Sequence, residues 1–331
     1  SLHRITNFMI FPFRNVLLTG GAGFIGSHMA EKLLSAGCEV TVLDDFNDFY
    51  DPSIKEANLQ AVGEKLDIRR IDVRHAEAVN GLFHEKKFDC VIHLAARAGV
   101  RPSIQDPQLY LSTNVDGTLH LLEACRQHDV RHFIFASSSS VYGVNSKVPF
   151  AEADLIERTI SPYAATKLMG EQLCSNYSYL YGIRCMCLRF FTVYGPRQRP
   201  DLAIAKFTRR ILDGVPIEQY GDGSTARDYT YIEDIVQGII GAAIYEKSNY
   251  EIFNLGGSET HTLSELITTI ESAVGKKAII RKLSDQPGDV PRTFADITKA
   301  RKLIGYSPST SFSSGVRRYV DWIKTSTSGG L

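Results

Sequence analysis

The chain has 331 residues, of which 44% are hydrophobic and 22% charged, a composition typical of a globular protein with a sizeable core. Basic and acidic residues both number 37, so no overall charge draws the protein to nucleic acid or to an anionic membrane. No apolar run is long enough to span a membrane. Residues 1–14 are expected to be a leader that is disordered or foreign to the natural protein.

The six cysteines form no CxxC motif, which favours a reducing, cytoplasmic setting. Cys185 and Cys187 alternate with Met186 in an apolar run. This pattern favours a buried strand over a metal site, and no metal is expected.

From Asn15 onward, short β-branched runs alternate with longer helical patterns. The runs predicted as strands are NVLLTG, EVTVLDD, KLDIRRIDV, FDCVIHLAA and RHFIFASS. A helix pattern, SPYAATKLMGEQLCSNYSYLYG, then precedes a further strand, IRCMCLRFF. Strands separated by helices indicate βαβ crossovers, so we expect a doubly wound parallel α/β sheet of the Rossmann type over residues 15–193.

After about Tyr194, loops rich in glycine, proline and charge separate shorter elements. This texture predicts a smaller, mixed α/β lobe over residues 194–331, with a segment around 228–250 returning to the first domain. Two stretches, TFADITKARKLIG and SFSSGVRRYVDWI, are predicted as its closing helices.

The stretch NVLLTGGAGFIGSHMAEKLL places a glycine turn between a strand and an amphipathic helix. Such a turn brings bare backbone and a helix N-terminus to a pyrophosphate, although alone it could be an ordinary βα connection. Asp44 ends the next strand, where an acid accepts hydrogen bonds from the adenosine ribose and disfavours a 2′-phosphate. The combination favours NAD. The predicted contacts of the turn are Gly20, Gly23, Phe24, Ile25 and Gly26.

Tyr163 and Lys167 are four residues apart on the predicted long helix and therefore share a face. A surface pair is the simpler interpretation. The functional one is a phenol whose pKa of about 10 is brought toward neutrality by the ammonium and by a positively charged nicotinamide ring. The serines of FASSSS end a strand, so their hydroxyls are expected at the same edge of the sheet, beside the substrate oxygen.

Ordered motifs along nearly the whole chain resemble the extended short-chain dehydrogenase/reductases, and in particular their NAD-dependent nucleotide-sugar epimerases. These motifs are TGGAGFIG, HLAARAGV, STNVDGT, SSSSVYG, YAATK, RFFTVYGPRQRPD, GDGSTARDYTYIEDI and NLGG. The resemblance implies an NAD-binding first domain, a UDP-sugar-binding second lobe, and a homodimer through helices around 115–128 and 163–181. It implies a catalytic triad of Ser138, Tyr163 and Lys167, of which the last two also contact the cofactor. The further implied cofactor contacts are Asp72 and Val73 beside the adenine, and Leu94, Ala95, Ala96 and Asn114 along the channel.

The resemblance also implies a reaction, in which the sugar is oxidised at C4 to a 4-keto intermediate and reduced on the other face. Related 4,6-dehydratases carry Asp-Glu after the hydroxyl residue, and UDP-glucuronate decarboxylases carry Glu at the second position. Ser139 and Ser140 stand there, and both are expected to face the substrate. Their presence makes these two reactions less favoured alternatives.

At the positions of Thr192 and Arg199 the sequence resembles UDP-glucuronate 4-epimerases. These enzymes must hold the carboxylate of their substrate, because a 4-keto glucuronate is a β-keto acid that can lose CO2. Hydroxyls and a guanidinium suit that carboxylate. Arg227 matches a pyrophosphate-binding arginine, whereas the second phosphate contact lies open between Gln286 and Arg292. The alternatives are a UDP-glucose or UDP-N-acetylglucosamine 4-epimerase, or an NAD-bound regulatory protein without catalysis.

Overall fold

The computed structural model of the chain describes residues 11–63, 65–145, 147–284 and 290–328. Its strands are β1 (Asn15–Thr19), β2 (Glu39–Asp44), β3 (Asp67–Arg70), β4 (Cys90–His93), β5 (His132–Ser138), β6 (Arg184–Phe190), β7 (Thr192–Tyr194), β8 (Ile217–Tyr220), β9 (Ala226–Arg227), β10 (Tyr229–Tyr231), β11 (Tyr250–Leu255), β12 (His261–Thr262) and β13 (Ile280–Leu283). Its helices are α1 (Phe24–Ser35), α2 (Pro52–Val62), α3 (Ala76–Glu85), α4 (Val100–Gln105), α5 (Pro107–Leu111), α6 (Gly117–Gln127), α7 (Pro162–Tyr181), α8 (Ala203–Asp213), α9 (Ile232–Ala243), α10 (Leu263–Val274), α11 (Thr298–Ile304) and α12 (Phe312–Ser328). A π-helical turn (Ser112–Asp116) and a 3₁₀ turn (Ser139–Tyr142) complete the elements named here. Within these described ranges, no helix combines the length and the hydropathy needed to cross a membrane.

The central sheet has seven parallel strands in the order β11-β6-β5-β4-β1-β2-β3. All six strands predicted from the first part of the sequence lie in it, and the doubly wound α/β prediction is confirmed. Strand order runs outward from β1 to β3, then restarts on the other side of β1 at β4. This reversal leaves a crevice at the carboxyl ends of β1 and β4, where ligands bind in such sheets.

Both faces of the sheet are buried. Val16 and Leu18 of β1 belong to one hydrophobic cluster, with side chains of α1, α2 and α9, whereas Leu17 belongs to a second cluster, with side chains of α3, α6 and α7. Successive residues of a strand point to opposite faces, so a wholly apolar strand requires cover on both sides. The apolar runs of the sequence therefore reflect a sheet between two layers of helices.

Beyond β6, the chain forms three two-stranded sheets: β7 with β10, β8 with β13, and β9 with β12. It then contributes β11, which pairs with β6 at the edge of the central sheet. Helix α9, which precedes β11, packs among the side chains on one face of that sheet.

The first predicted closing helix is shorter than expected, because α11 begins only at Thr298. The preceding backbone is bound elsewhere: Thr293 donates to the carbonyl of Ala226 at 3.1 Å, and Ala295 donates to the Asp228 carboxylate at 3.0 Å. The Asp296 carboxylate then accepts from the Thr298 amide at 2.9 Å. Tertiary hydrogen bonds thus replace the first helical turn that the residue pattern favours.

The end of the segment assigned to a leader contributes to the core. Phe11 and Phe13 are buried, their rings pack edge to face at 5.3 Å, and Phe13 also packs on the ring of His132. The rest of that predicted leader, residues 1–10, lies outside the described residues.

Gly170 sets the distance between α7 and β5. A Cβ atom there would lie 2.2 Å from the ring of Phe135, which is itself 1% exposed. Gly170→Ala is therefore expected to lower the free energy of unfolding by about 1–3 kcal/mol, as overpacked cores do. Urea denaturation measures the change.

Gly81→Ala in α3 is the matched control. A Cβ atom at Gly81 would meet no described atom within 4 Å, so alanine should raise the free energy of unfolding by about 0.5–1 kcal/mol through helix propensity. If Gly170→Ala and Gly81→Ala lower the free energy of unfolding equally, the result would contradict the close packing of α7 on the sheet.

Candidate active site

A cavity of about 540 Å³ opens at the carboxyl ends of the central strands, in the crevice left by the reversal of strand order. It is large enough for a cofactor or a drug-sized ligand. The predicted site residues that line it are Gly20, Gly23, Phe24, Ile25, Gly26, Asp44, Val73, Leu94, Ala95, Ala96, Ser138, Ser139, Ser140, Tyr163, Lys167, Thr192 and Arg199.

The glycine turn brings bare backbone to one wall of this cavity. Gly20 has a φ of +69° and its missing Cβ would lie 2.7 Å from the amide nitrogen of Ala95. A Cβ at Gly26 would lie 2.1 Å from the carbonyl oxygen of Gly20. The first residues of α1 line the cavity, so the unpaired N–H groups of a helix N-terminus lie at its wall, an arrangement that suits a phosphate.

Asp44 is buried at the end of β2, and its carboxylate accepts from the amides of Ala22 at 3.1 Å and Phe46 at 3.0 Å. Burial raises the pKa of Asp44, while these hydrogen bonds and the Lys55 ammonium oppose the rise. The ammonium lies 4.0 Å away, also lines the cavity, and was not predicted. Asp44 therefore fastens the glycine turn to β2, and its remaining lone pairs can accept from a ligand hydroxyl.

Helix α7 presents Tyr163 and Lys167 to the opposite wall. Pro162 occupies its first turn, and the Ser161 hydroxyl accepts from the Ala164 amide at 3.1 Å, so the helix starts directly before the tyrosine. The Lys167 ammonium donates to the carbonyl of Ala136 at 2.7 Å and lies 6.0 Å from the centre of the Tyr163 ring. The four-residue spacing thus places phenol and ammonium on one face.

The surroundings of these two groups oppose their charged forms. Burial raises the pKa of Tyr163, and hydrogen bonding with Ser138 and the charge of Arg199 act against the rise. Burial lowers the pKa of Lys167 to about 8, opposed mainly by the charge of Glu171. The residues of the chain alone therefore do not lower the pKa of the phenol as we expected, and the positive charge that opposes the rise is that of Arg199 rather than Lys167.

The serine run divides between two faces. The Ser137 hydroxyl donates to the buried Glu171 carboxylate at 2.5 Å. Ser138 ends β5, and its oxygen accepts from the amide of Ser140 at 3.2 Å and from its hydroxyl at 2.9 Å. Ser138, Ser139 and Ser140 therefore form a hydroxyl-lined rim at the start of the 3₁₀ turn.

A buried ion pair that the sequence reasoning missed lies behind this rim. Arg189 of β6 donates from Nε and Nη2 to the Glu171 carboxylate at 2.9 and 2.7 Å, with side chains 3% and 1% exposed. Its guanidinium also lies 4.7 Å from the centre of the Tyr142 ring. A signal was available, because Glu171 follows Lys167 by four residues on the same face of α7.

Thr192 and Arg199 reach the cavity from the chain that follows β6. The Arg199 guanidinium donates to both carboxylate oxygens of Asp201, at 3.0 and 2.7 Å, and lies over the Phe49 ring. This pairing holds the pKa of Arg199 above its usual value despite burial. A fixed, permanently charged guanidinium therefore shares the cavity with the phenol.

Three predicted contact residues lie apart from the lining. Asp72 is engaged by Arg74, and the Asn114 side chain bonds to the backbone of Arg97 behind the channel wall. Arg227 lies in β9 and donates to the carbonyl of its neighbour Ala226.

The segment that holds Arg292 runs alongside β9, so Arg292 and Arg227 lie in adjacent stretches of chain. The Arg292 guanidinium donates to the Thr260 hydroxyl at 2.7 Å. Gln286, the other candidate for the second phosphate contact, lies outside the described residues.

Residues 17–319 match the family model described as GDP-mannose 4,6 dehydratase, and the chain belongs to this branch of the extended short-chain dehydrogenase/reductases. Among its relatives, it is 42% identical to the UDP-glucuronate 4-epimerase of Thermodesulfobacterium geofontis, over 93% of this chain and 95% of that protein. It is 41% identical to UDP-glucuronate 4-epimerase 1 of Arabidopsis thaliana, over 93% and 76%.

Solved structures agree with this placement. The UDP-glucuronic acid 4-epimerase of Bacillus cereus, in complex with UDP-glucuronic acid and NAD, superposes with a TM-score of 0.88 at 38% identity, covering 94% of this chain and 99% of that one. The UDP-glucose 4-epimerase of Thermotoga maritima, with UDP-glucose, superposes with a TM-score of 0.89 at 32% identity, covering 95% and 99%. The fold alone therefore does not distinguish an enzyme that acts on UDP-glucuronate from one that acts on UDP-glucose.

Glu171→Gln removes the partner of a fully buried guanidinium. An uncompensated buried charge costs about 3–5 kcal/mol, so this variant should lose about that much free energy of unfolding in urea denaturation. The pKa of Lys167 should also fall, because the Glu171 charge that raises it is gone.

Glu85→Gln supplies the comparison. Glu85 pairs with Arg69 at 2.9 Å but is 60% exposed, and such surface pairs contribute at most about 1 kcal/mol. If both substitutions lower the free energy of unfolding by less than about 1 kcal/mol, the buried pair does not support α7.

Proposed function

We propose that the chain is an NAD-dependent UDP-sugar 4-epimerase that interconverts UDP-glucuronate and UDP-galacturonate. The observation that carries the proposal is a single cavity lined by Tyr163, Ser138, Arg199 and the glycine turn. The named relatives support the class of reaction, because they are UDP-sugar 4-epimerases.

The chain's residues fit NAD at the glycine-turn end. Backbone without side chains at Gly20 and Gly26, beside the first N–H groups of α1, would hold the pyrophosphate. Asp44 would accept from the adenosine ribose, Val73 would lie by the adenine, and the Leu94–Ala96 backbone would line the channel. Bound there, NAD would take a hydride from C4 of the sugar and return it to the other face.

Tyr163 would remove the proton of the C4 hydroxyl and later return it, as general base and general acid. Ser138 lines the cavity beside the phenol and acts to lower its pKa, so its hydroxyl would link the phenol oxygen to the sugar oxygen. Lys167 holds its ammonium on the carbonyl of Ala136, which fixes the charge near the phenol ring. These three side chains share one wall, so they can act on one hydroxyl.

The character of the lining argues against dehydration and decarboxylation. Among the described lining residues, the acids are Asp44 and Asp45 alone, both at the end of the strand assigned to the adenosine. Ser139 and Ser140 offer hydroxyls where a dehydratase needs carboxyl groups to expel water. An epimerase needs no carboxyl groups there, because the 4-keto sugar only has to rotate so that its other face meets the cofactor.

Arg199 favours glucuronate over glucose. The Arg199 guanidinium already donates to Asp201, and its remaining N–H groups, together with the Thr192 hydroxyl, suit a C5 carboxylate better than a neutral hydroxymethyl group. A fixed carboxylate also keeps the breaking C–C bond away from the ketone, so CO2 is retained. A UDP-glucose or UDP-N-acetylglucosamine 4-epimerase is the second candidate, and a regulatory role without catalysis is disfavoured because the triad is intact.

The remaining predictions belong to the same proposal. Residues 15–193 would bind NAD and residues 194–331 the UDP-sugar, with Arg227 and Arg292 as candidate phosphate contacts. The packing of α9 and β11 on the central sheet supports the return of the segment around 228–250.

A homodimer through α6 and α7 is supported by exposed apolar side chains on α7 at Met169 and Leu180. A cytoplasmic location fits the six buried, unpaired cysteines.

A substrate panel tests the proposal directly. Purified protein with NAD and UDP-glucuronate, UDP-glucose or UDP-N-acetylglucosamine should give UDP-galacturonate from the first far faster than the corresponding epimer from the others, with products resolved by chromatography. UDP-galactose without UDP-galacturonate would overturn the choice of sugar. UDP-xylose as the main product would overturn the argument from Ser139 and Ser140.

Tyr163→Phe tests the acid–base role. Removing the phenol oxygen should lower kcat by about 10²–10⁴-fold, the usual contribution of a positioned proton carrier, while NAD released on denaturation stays at one equivalent per chain. Ser139→Ala, beside the triad, is the comparison and should lose much less. Unchanged turnover in Tyr163→Phe would show that another group moves the proton.

A further inference from the structure

We infer that His93, which the proposed chemistry does not use, is a positioning residue that ties the wall of the cofactor channel to the catalytic tyrosine. The tie is a chain of hydrogen bonds between buried groups on separate segments of the fold. Its members, in order, are the Ala95 amide, Thr19, His93, Thr118, Asn114, Thr166 and the Tyr163 carbonyl. The inference rests on the proposed function, because only there is Tyr163 the proton carrier.

The imidazole of His93 has a hydroxyl partner at each nitrogen. It ends β4 and is 2% exposed, with Nδ1 2.7 Å from the hydroxyl of Thr19 and Nε2 3.0 Å from that of Thr118. The Ala95 amide donates to the Thr19 oxygen at 3.2 Å, and the Thr118 hydroxyl donates to the carbonyl oxygen of Asn114 at 2.6 Å.

These contacts allow one direction of donation. The Thr118 hydroxyl has a single hydrogen, which must lie toward the Asn114 carbonyl, because two oxygens 2.6 Å apart without a hydrogen repel. Its lone pair therefore accepts from Nε2–H of His93. A neutral imidazole then accepts at Nδ1, so Thr19 donates there and uses its own lone pair for the Ala95 amide.

Asn114 carries the chain onward through its side chain. Its amide donates to the Thr166 hydroxyl at 3.0 Å and to the Arg97 carbonyl at 2.9 Å, and its oxygen accepts from the Arg97 amide at 2.8 Å. Thr166 then donates to the carbonyl of Tyr163 at 2.8 Å. Asn114 lies in the π-helical turn Ser112–Asp116, an irregularity that often marks functional sites.

The surroundings of His93 keep its ring neutral. Burial and the nearby charge of Lys167 lower its pKa to about 3, and the rings of Phe133 and Phe135 lie 5.9 Å away on the neighbouring strand. A doubly protonated ring would donate from Nδ1 as well, so Thr19 could no longer donate to it. The single tautomer, and with it the direction of the chain, is therefore retained over the working pH range.

The two ends of this hydrogen-bond chain lie at the cofactor channel and at the backbone of the proposed proton carrier. Thr19 directly precedes Gly20 of the glycine turn, and Ala95 and Tyr163 both line the cavity. A misplacement of about 1 Å can cost about 100-fold in rate. Breaking this chain of hydrogen bonds should therefore lower kcat and weaken NAD retention. The KM for the UDP-sugar should stay largely unchanged.

Thr118→Val removes the hydroxyl while keeping the shape, and Thr118→Ser restores it. The valine variant should lose about 10–100-fold in kcat and release NAD faster in a dilution assay, with the KM for UDP-sugar within about twofold, and serine should recover most of both losses. Thr208→Val is the control, because Thr208 is buried and its hydroxyl has no partner among the described residues. It should change neither quantity.

A readout apart from turnover comes from the imidazole itself. In protein labelled with ¹⁵N-histidine, NMR should show the His93 ring as the neutral Nε2–H tautomer down to about pH 5, and Thr118→Val should convert it to a mixture of tautomers. The amides of the π-helical turn should also exchange faster in that variant.

These experiments distinguish a failure of the positioning role of His93 from a failure of the proposed function. An Nδ1–H tautomer in the parent protein, or a Thr118→Val variant with parental kcat and NAD release, would overturn the positioning role. If valine prevents folding, the tautomer of the parent ring and the serine variant still decide. Failure of every UDP-sugar to turn over, with the tautomer and NAD release as expected, would instead refute the proposed function.

Discussion

The reversal of strand order between β1 and β4 is the constraint on which the site depends. Because the chain leaves these neighbouring strands in opposite directions, their carboxyl ends are not covered by a crossing connection. The glycine turn follows one of these strands and the channel segment from Leu94 follows the other. A cavity between them is therefore a consequence of topology, before any side chain is chosen.

Helix α7 joins this cavity to the interior of the protein. Tyr163, Lys167 and Glu171 are spaced by four residues, so one stripe of the helix carries the phenol, the ammonium and the buried carboxylate in succession. The carboxylate forms an ion pair with Arg189 of β6, and the ammonium donates a hydrogen bond to a carbonyl of β5. Buried charge is tolerated here because each charged group is paired with, or hydrogen-bonded to, a group on a neighbouring strand.

Local patterns predicted most of the fold and part of the site. The strands β1–β6, the helix α7 and the glycine turn each depend on residues close in sequence, and all were recognised from periodicity and turn chemistry. The start of α11, the burial of Phe11 and Phe13, and the pairing of Lys55 with Asp44 depend on contacts with distant segments. Single-sequence patterns carry no such information.

The same distinction explains what was missed around the predicted residues. Asn114 was expected to line the channel because its motif suggested a contact, yet its amide is satisfied by the backbone of Arg97 behind the wall. His93, Thr118 and Thr166 look like ordinary polar residues in the sequence. Only their arrangement around Asn114 reveals one connected network, since its members come from β4, α6 and α7.

The 3₁₀ turn that begins at Ser139 has an evolutionary consequence. Its first two side chains face the cavity, whereas Val141 and Tyr142 face the core. Replacing Ser139 or Ser140 would alter the groups that line the cavity and leave the buried apolar side chains of the turn in place. The side chains that line the cavity and those that hold the core are thus separate within four consecutive residues, so the cavity side chains can change on an unchanged scaffold.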